Sequence, residues 1–208
     1  MHIPVLLREA VDSLAVRRGG VYVDGTLGRA GHAREILLRG GAGTTLVGID
    51  RDEQALSESS TRLSRLPDVN VVLVHGCHGS VAEIVRGKGI GEVDGILLDL
   101  GVSSPQLDEA GRGFSFQADG PLDMRMDRSR EVTAATLVAT RTEEELAEIS
   151  ARSARSRTRG ASRARSYGNA RRVRSRRRAS SRSWWSGRLG GMVRTIRPRG
   201  LFRRSAWP

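Results

Sequence analysis

Residues that could bind a nucleoside follow directly after short apolar runs of the sequence. Asp50 ends the run TTLVGID, 26 residues after Asp24, and an acid at that place can accept both hydroxyls of a ribose. The alternative is a solvated aspartate that caps the next helix, although Asp52 could take that role instead. His78 follows the run NVVLVHG, where its flat ring could flank an adenine. A lone histidine is more often a surface or capping residue.

The first apolar run leads into a glycine-rich turn, DGTLGRAGH, at residues 24–32. Glycines let the backbone approach a ligand closely, and the N-terminus of a following helix supplies free N–H groups. A tight turn without a ligand is an equally frequent reason for such a pattern. The spacing is not the dinucleotide fingerprint, because GxGxxG is absent.

A fourth apolar run ends in Asp99 and is followed by Gly-Val-Ser-Ser-Pro-Gln. A carboxylate at the end of a buried strand, followed by polar groups, is typical of an active-site edge. The stretch RGFSFQADGPLDMRMD at residues 112–127 has no clean periodicity, and a long irregular loop with aromatic and charged residues is more often functional than structural. A zinc site at His75, Cys77 and His78 is disfavoured, because no fourth ligand has the required spacing.

The elements that position these residues alternate between strand and helix through the first hundred residues. Amphipathic helices are predicted around residues 5–14, 33–40, 53–66 and 79–87, between strands that end near Asp24, Asp50, His75 and Asp99. This order predicts an α/β fold with a parallel sheet and crossover helices. Ligands bind outside the carboxyl ends of such strands, which is where the polar residues stand. Thr142 and Glu145 predict a further helix N-terminus.

Five stretches together resemble a known family. HIPVLLREAV, VDGTLGRAGH, GIDRD, DGILLDLGVSSPQLD and RGFSFQADGPLDMRMD are similar to consecutive signatures of the bacterial 16S ribosomal RNA (cytosine-N4)-methyltransferase family. The resemblance covers residues 2–149. It implies the Rossmann-like sheet of class I methyltransferases, S-adenosylmethionine as cofactor and 16S rRNA in the small ribosomal subunit as substrate.

The resemblance also implies roles for individual residues. Ala30, Gly31 and His32 would line the methionine part of the cofactor, and Asp50 would take the ribose hydroxyls. The remaining cofactor positions are His78 on the adenine side, and Asp99 and Gln106 near the transfer site. The family usually has glycine where Ala30 stands and phenylalanine where His78 stands.

A cytosine amine is a poor nucleophile, because its lone pair is delocalised into the ring. An acceptor near the amine protons would restore electron density, and the candidates for this catalytic role are Asp99, Ser103 and Ser104. The protein would otherwise act mainly by aligning amine and methyl group. The base must leave its stack to reach the pocket.

Composition bounds the class of protein. One cysteine among 208 residues excludes a disulfide framework and a cysteine-rich zinc site. No run of about 18 apolar residues predicts a membrane span, and the N-terminus lacks the basic region of a signal peptide. We therefore expect no membrane partner and a cytoplasmic location.

Charge divides the chain at residue 150. Residues 1–149 hold 16 Lys and Arg and all 23 Asp and Glu, whereas residues 150–208 hold 19 Arg and no acid. One interpretation of this tail is a disordered arm that binds nucleic acid, with its three tryptophans stacked on bases. The two segments are therefore interpreted as the N-terminal part of a methyltransferase domain (1–149) and an Arg/Ser-rich tail (150–208).

The favoured interpretation of the tail is translation out of frame. If each true codon starts at the third base of a displayed codon, residues 152–169 can encode FGEEPDARRIARAIVRE and residues 195–208 can encode HPATRTFQALRVA. Both strings look like the family's own continuation, in the expected order. The sheet is then incomplete, with an apolar edge left open and a disordered or poorly packed tail. We expect a chain of this kind to be impaired or inactive.

Two other functions remain open at this point. A non-catalytic RNA-binding protein would keep a vestigial cofactor fold and bind through its basic tail, with an affinity that depends steeply on salt. A methyltransferase for another amine, in DNA or in a small molecule, is disfavoured only by the family resemblance.

Overall fold

The computed structural model describes residues 4, 6–153 and 192–196 of the chain. The chain divides into two compact units. The first runs to Gly101 and includes Met192–Ile196, and the second begins at Val102. Most of the tail from residue 150 lies outside the described residues, and so do its tryptophans.

The first unit is built on the predicted alternation of strands and helices. Its strands are β1 (Val21–Asp24), β2 (Thr45–Asp50), β3 (Asn70–His75) and β4 (Gly95–Leu100), and its helices are α1 (Leu7–Leu14), α2 (Gly31–Gly40), α3 (Glu53–Leu63) and α4 (Val81–Gly87). A short 3-10 helix, His78–Ser80, precedes α4. The strands lie in the order β3-β2-β1-β4 and all pair in parallel, so the predicted α/β fold is confirmed.

Both faces of this sheet are covered, which explains why its strands are apolar without alternation. Tyr22 and Leu46 belong to one buried cluster, into which α1, α2 and α3 place further apolar side chains. Val23 and Val47, the next residues along the same strands, belong to a second cluster that includes Val85 of α4. Successive strand residues therefore pack on opposite faces of the sheet. The Tyr22 hydroxyl accepts the backbone N–H of Arg17 at 2.8 Å.

The free edge expected beside β4 is paired. Strand β5 (Met192–Ile196) runs antiparallel to β4, with Ile96 opposite Ile196 and Leu100 opposite Met192. The prediction of an open edge was therefore wrong at this position. The edge is paired because MVRTI is a short segment with β-branched residues within the arginine-rich tail. Such a segment can extend a sheet by backbone hydrogen bonds alone.

Within residues 102–153, the described part of the second unit, the structure has three helices, α5 (Ser104–Asp108), α6 (Ala134–Thr140) and α7 (Glu143–Ser153), and a 3-10 helix, Ala110–Arg112. The predicted capping box of α7 is confirmed: Thr142 N donates to Glu145 Oε2 at 2.8 Å, and Glu145 N donates to Thr142 Oγ1 at 3.3 Å. Helix α7 continues past residue 150, where the composition changes, to Ser153.

The stretch at residues 112–127 is irregular, as predicted, yet it is held by specific contacts. The buried guanidinium of Arg112 donates from Nη2 to the carbonyl oxygens of Arg125 and Met126, at 3.1 and 3.2 Å. Asp123 accepts two hydrogen bonds from the Arg125 guanidinium, at 2.7 and 2.8 Å, which lower the pKa of its carboxyl group. Gly113 has φ 76°, and a Cβ there would stand 2.5 Å from the carbonyl oxygen of Pro121.

Candidate active site at the strand ends

Three carboxylates stand at the carboxyl ends of neighbouring strands in the first unit. Asp24 ends β1, Asp50 ends β2, and Asp99 is the last residue but one of β4. They are close enough that Asp50 and Asp99 both raise the pKa of Asp24 by electrostatic repulsion. The three acids therefore stand together at one edge of the sheet.

The glycine-rich turn that follows β1 is hydrogen-bonded to β4. Gly25 N donates to the carbonyl oxygen of Leu97 at 2.9 Å, and Thr26 N donates to Asp24 Oδ1 at 3.1 Å. The Thr26 hydroxyl accepts the backbone N–H of Asp99 at 2.7 Å. This single hydroxyl therefore joins the turn after β1 to the acidic end of β4.

Asp50 holds the same turn from the other side. Its Oδ2 accepts the N–H of Gly28 at 2.7 Å, and its Oδ1 accepts the N–H of Asp52 at 2.9 Å. The cap of α3 is Asp52, whose carboxylate accepts the N–H of Gln54 at 3.1 Å. The alternative role considered for Asp50, a helix cap, therefore belongs to Asp52. Each Asp50 oxygen keeps acceptor capacity beyond its one backbone contact.

Ala30, Gly31 and His32 form the start of α2. Ala30 is the residue before the helix and has φ 57°, in the left-handed region that a residue with a Cβ adopts at a cost of roughly 1–2 kcal/mol. The Ala30 side chain is buried, and so is that of His32. The departure from the family's usual glycine thus falls at a position where the backbone still adopts the glycine-like conformation.

His78 lies beside the turn after β1, although β1 and β3 are not neighbours in the sheet. A Cβ on Gly25 would stand 3.2 Å from the Cβ of His78 and 2.5 Å from Leu98 Cδ2. A Cβ at Gly25 would therefore crowd a side chain of β4 and the segment that follows β3.

The other polar residues after β3 contact the protein itself. His75 Nε2 lies 2.9 Å from the carbonyl oxygen of Arg51, and Cys77 Sγ accepts from Arg51 Nη2 at 2.6 Å. Among residues 4, 6–153 and 192–196, no three His, Cys, Asp or Glu side chains form a group able to hold a metal ion.

Ser103, Ser104 and Gln106 belong to the second unit. Ser103 caps α5: its hydroxyl accepts the N–H of Gln106 at 3.4 Å, and the Gln106 side-chain oxygen accepts the N–H of Ser103 at 3.0 Å. Gln106 is buried. The sequence motif SSPQ, selected for possible chemistry, therefore also forms a reciprocal helix cap.

Asp24 is the residue that the sequence interpretation left out of the site. It is 1% exposed, and its Oδ2 has no hydrogen-bond partner within the described part of the chain. Burial, and then the repulsion from Asp50 and Asp99, raises the pKa of Asp24 to about 7. The sequence signal that could have revealed Asp24 is an acid at the end of a buried apolar run. A carboxyl group in that place must be either protonated or compensated by a positive charge or hydrogen-bond donors.

Comparison with known proteins identifies the family. Residues 1–175 match the MraW methylase family. The chain belongs to this family. Two of its relatives are the ribosomal RNA small subunit methyltransferases H of Methylobacillus flagellatus, 50% identical over 148 residues, and of Neisseria gonorrhoeae, 53% identical over 148 residues. Each alignment covers 71% of this chain but only 45% and 46% of the two relatives, so the chain spans about half the length of the proteins it matches.

Membership in the MraW methylase family confirms the family that the sequence motifs predicted. Among solved structures, a protein-L-isoaspartate O-methyltransferase aligns with 47% of this chain and 29% of its own, at 18% identity and a TM-score of 0.39. No helix within the described ranges is both long and apolar enough to cross a membrane.

Proposed function

We propose that this chain carries the cofactor-binding part of an enzyme that methylates N4 of a cytosine in the decoding region of 16S rRNA. The observation that carries the proposal is the identity of about half of 148 aligned residues with proteins named ribosomal RNA small subunit methyltransferase H. S-adenosylmethionine, when bound, supplies a methyl group activated by a sulfonium. An rRNA substrate in the small subunit places this activity in the cytoplasm.

The strand-end geometry supports the assignment of the cofactor site. The sulfonium and the ammonium group of S-adenosylmethionine are cations, and the acidic cluster of Asp24, Asp50 and Asp99 complements them. The spare acceptor capacity of Asp50 suits two ribose hydroxyls. We assign the methionine end to Ala30, Gly31 and His32 at the start of α2, and the adenine side to His78.

Asp99 is the favoured acceptor for the amine protons of the cytosine. Its backbone is fixed through the Thr26 hydroxyl, so its carboxylate is held at the end of β4. The Ser103 hydroxyl already accepts a backbone N–H as a helix cap, which makes a second acceptor role less available to it. Ser104 remains the alternative acceptor, and Gln106 is assigned to the neighbourhood of the cofactor.

We further propose that residues 150–208 are translated out of frame and that the 208 residues alone turn over poorly. The alignments with the two relatives span only 148 of the 208 residues, and the tail's charge and composition differ abruptly from the preceding part. On this view the arginines of the tail carry no RNA-binding function.

The test is methyl transfer to 30S subunits purified from cells that lack this methylation, with mass spectrometry of the target nucleotide. We expect no or very slow turnover by residues 1–208, and turnover when the in-frame continuation is restored. Failure of the restored chain to methylate the subunit would overturn the proposed function.

The non-catalytic alternative is tested separately, by measuring RNA affinity with and without residues 150–208 over a range of salt. Strong affinity that falls steeply with salt and disappears with the deletion would favour an RNA-binding protein over the enzyme.

A further inference from the structure

The buried carboxyl of Asp24 is unexplained by the fold alone. Its Oδ1 accepts the N–H of Thr26, whereas its Oδ2 is buried without a hydrogen-bond partner among the described residues. A buried polar atom without a partner is uncommon and costs free energy, so such an atom at a ligand-binding edge calls for a functional explanation.

The surroundings of Asp24 are acidic on both sides. The charged groups that act on it are Asp50 from β2 and Asp99 from β4, and both disfavour its ionised form. His78 lies beside Gly25, the residue that follows Asp24, and His32 is the second residue of α2. The backbone N–H of Thr26, and to a lesser extent its hydroxyl, lower the pKa of the Asp24 carboxyl, but less strongly than burial raises it.

We propose that Asp24 is a buried counter-ion for the cationic part of the cofactor, so that binding of a cationic ligand at the strand ends releases a proton from it. This inference rests on the proposed cofactor site. Asp24 acts through the electric field rather than by contact, because it is 1% exposed. It is therefore a positioning residue, and a positive charge beside Asp50 and Asp99 relieves the repulsion that keeps it protonated.

The proposal gives the direction of a pH effect. The pKa of Asp24 is about 7 without a ligand, and a bound cation lowers that pKa. Affinity for the cationic ligand should therefore be full above pH 7 and should weaken, by up to about tenfold per pH unit, as the pH falls below it. An uncharged ligand should show no such loss.

The experiment is calorimetric titration of the 208-residue chain with S-adenosylmethionine between pH 5.5 and 8, in buffers of different ionisation enthalpy that report proton release. The variants are Asp24→Asn and, as matched control, Asp68→Asn, an exposed aspartate with φ 56° where asparagine is well tolerated. We expect proton release near pH 7 from the unmodified chain and from D68N, and its loss in D24N. The ligand's own amine titrates equally in all three proteins, so the difference between them isolates Asp24.

A second ligand distinguishes the effect of the cofactor's positive charge from that of its adenosine part. 5′-Methylthioadenosine keeps the adenosine but has neither cation, and we expect it to bind without releasing a proton from Asp24. Equal proton release with both ligands, or a D24N profile identical to that of the unmodified chain, would overturn the counter-ion role while leaving the cofactor site in place. Absence of binding of either ligand at every pH would overturn the proposed cofactor site as well.

Discussion

At the scale of single residues, the site combines groups that stabilise the fold with groups that do not. Asp50 and Thr26 each use hydrogen bonds to fix the turn after β1, so their positions serve both the fold and a ligand. Asp24 differs, because burial without a second partner makes its ionised form costly. Function and stability therefore oppose each other most directly at this residue.

The pKa of Asp24 predicts how stability depends on pH. Because its pKa rises from 3.8 in the unfolded chain to about 7 in the folded chain, its stabilising contribution is complete below pH 3.8 and is lost as the pH rises through 7. Between pH 5 and pH 8 we expect the free energy of unfolding of the unmodified chain to fall by roughly 2–3 kcal/mol more than that of Asp24→Asn. Urea unfolding followed by far-ultraviolet circular dichroism measures this difference. Parallel pH curves for the two proteins would contradict the raised pKa.

Ala30 predicts a contrast between two alanine-to-glycine changes. Ala30→Gly relieves a left-handed backbone but loses a buried methyl group, so we expect stability to change by less than about 1 kcal/mol. Ala33→Gly, inside α2 and equally buried, relieves nothing and should cost about 2 kcal/mol. Thermal unfolding of the two variants gives the comparison. Equal losses would mean that Ala30 is not strained.

At the scale of elements, the sequence predicted each helix and strand of the first hundred residues to within a few positions. The reason is local: buried parallel strands are continuous apolar runs, and each helix between them carries a clear amphipathic pattern or cap. Strand β5 was missed, because five residues within an arginine-rich segment give a pairing signal only when β4 is beside them. The capping box of Ser103 and Gln106 can also be recognised from the sequence, but the same residues were interpreted as candidates for catalysis and cofactor binding.

The pairing of β5 with β4 can be tested by cross-linking. In a Cys77→Ser background, we expect Leu98→Cys with Arg194→Cys to form a disulfide under mild oxidation, because these residues are direct antiparallel partners. Leu98→Cys with Met192→Cys is the control, shifted by two residues along the strand. Peptide mapping after proteolysis identifies the bond. Preferential cross-linking of the shifted pair would contradict the register.

The cap of α7 predicts a smaller effect. Thr142→Ala removes the side-chain acceptor for the N–H of Glu145 and should cost about 1 kcal/mol. Ser150→Ala, further along the same helix, serves as control and should change the free energy of unfolding by less than about 0.5 kcal/mol. Chemical denaturation measures both. A loss in S150A as large as in T142A would argue against a specific cap.

At the scale of the whole molecule, the family could be predicted because several long motifs occur in order, and the same motifs supply the residues of the proposed cofactor site. The raised pKa of Asp24 could not, since it depends on burial and on two acids that are distant in sequence. The out-of-frame interpretation makes its own prediction about the gene. Sequencing the DNA around codons 140 to 210 should reveal a shifted frame that encodes the family's continuation. If the shifted frame does not encode that continuation, this account of the tail is wrong.

The distribution of aromatic residues has a practical consequence for optical spectroscopy. All three tryptophans, Trp184, Trp185 and Trp207, belong to the tail, whereas Tyr22 is buried at the centre of the sheet. The near-ultraviolet dichroism of Tyr22 would therefore record the loss of the sheet directly, from a ring that is fully enclosed in the folded chain.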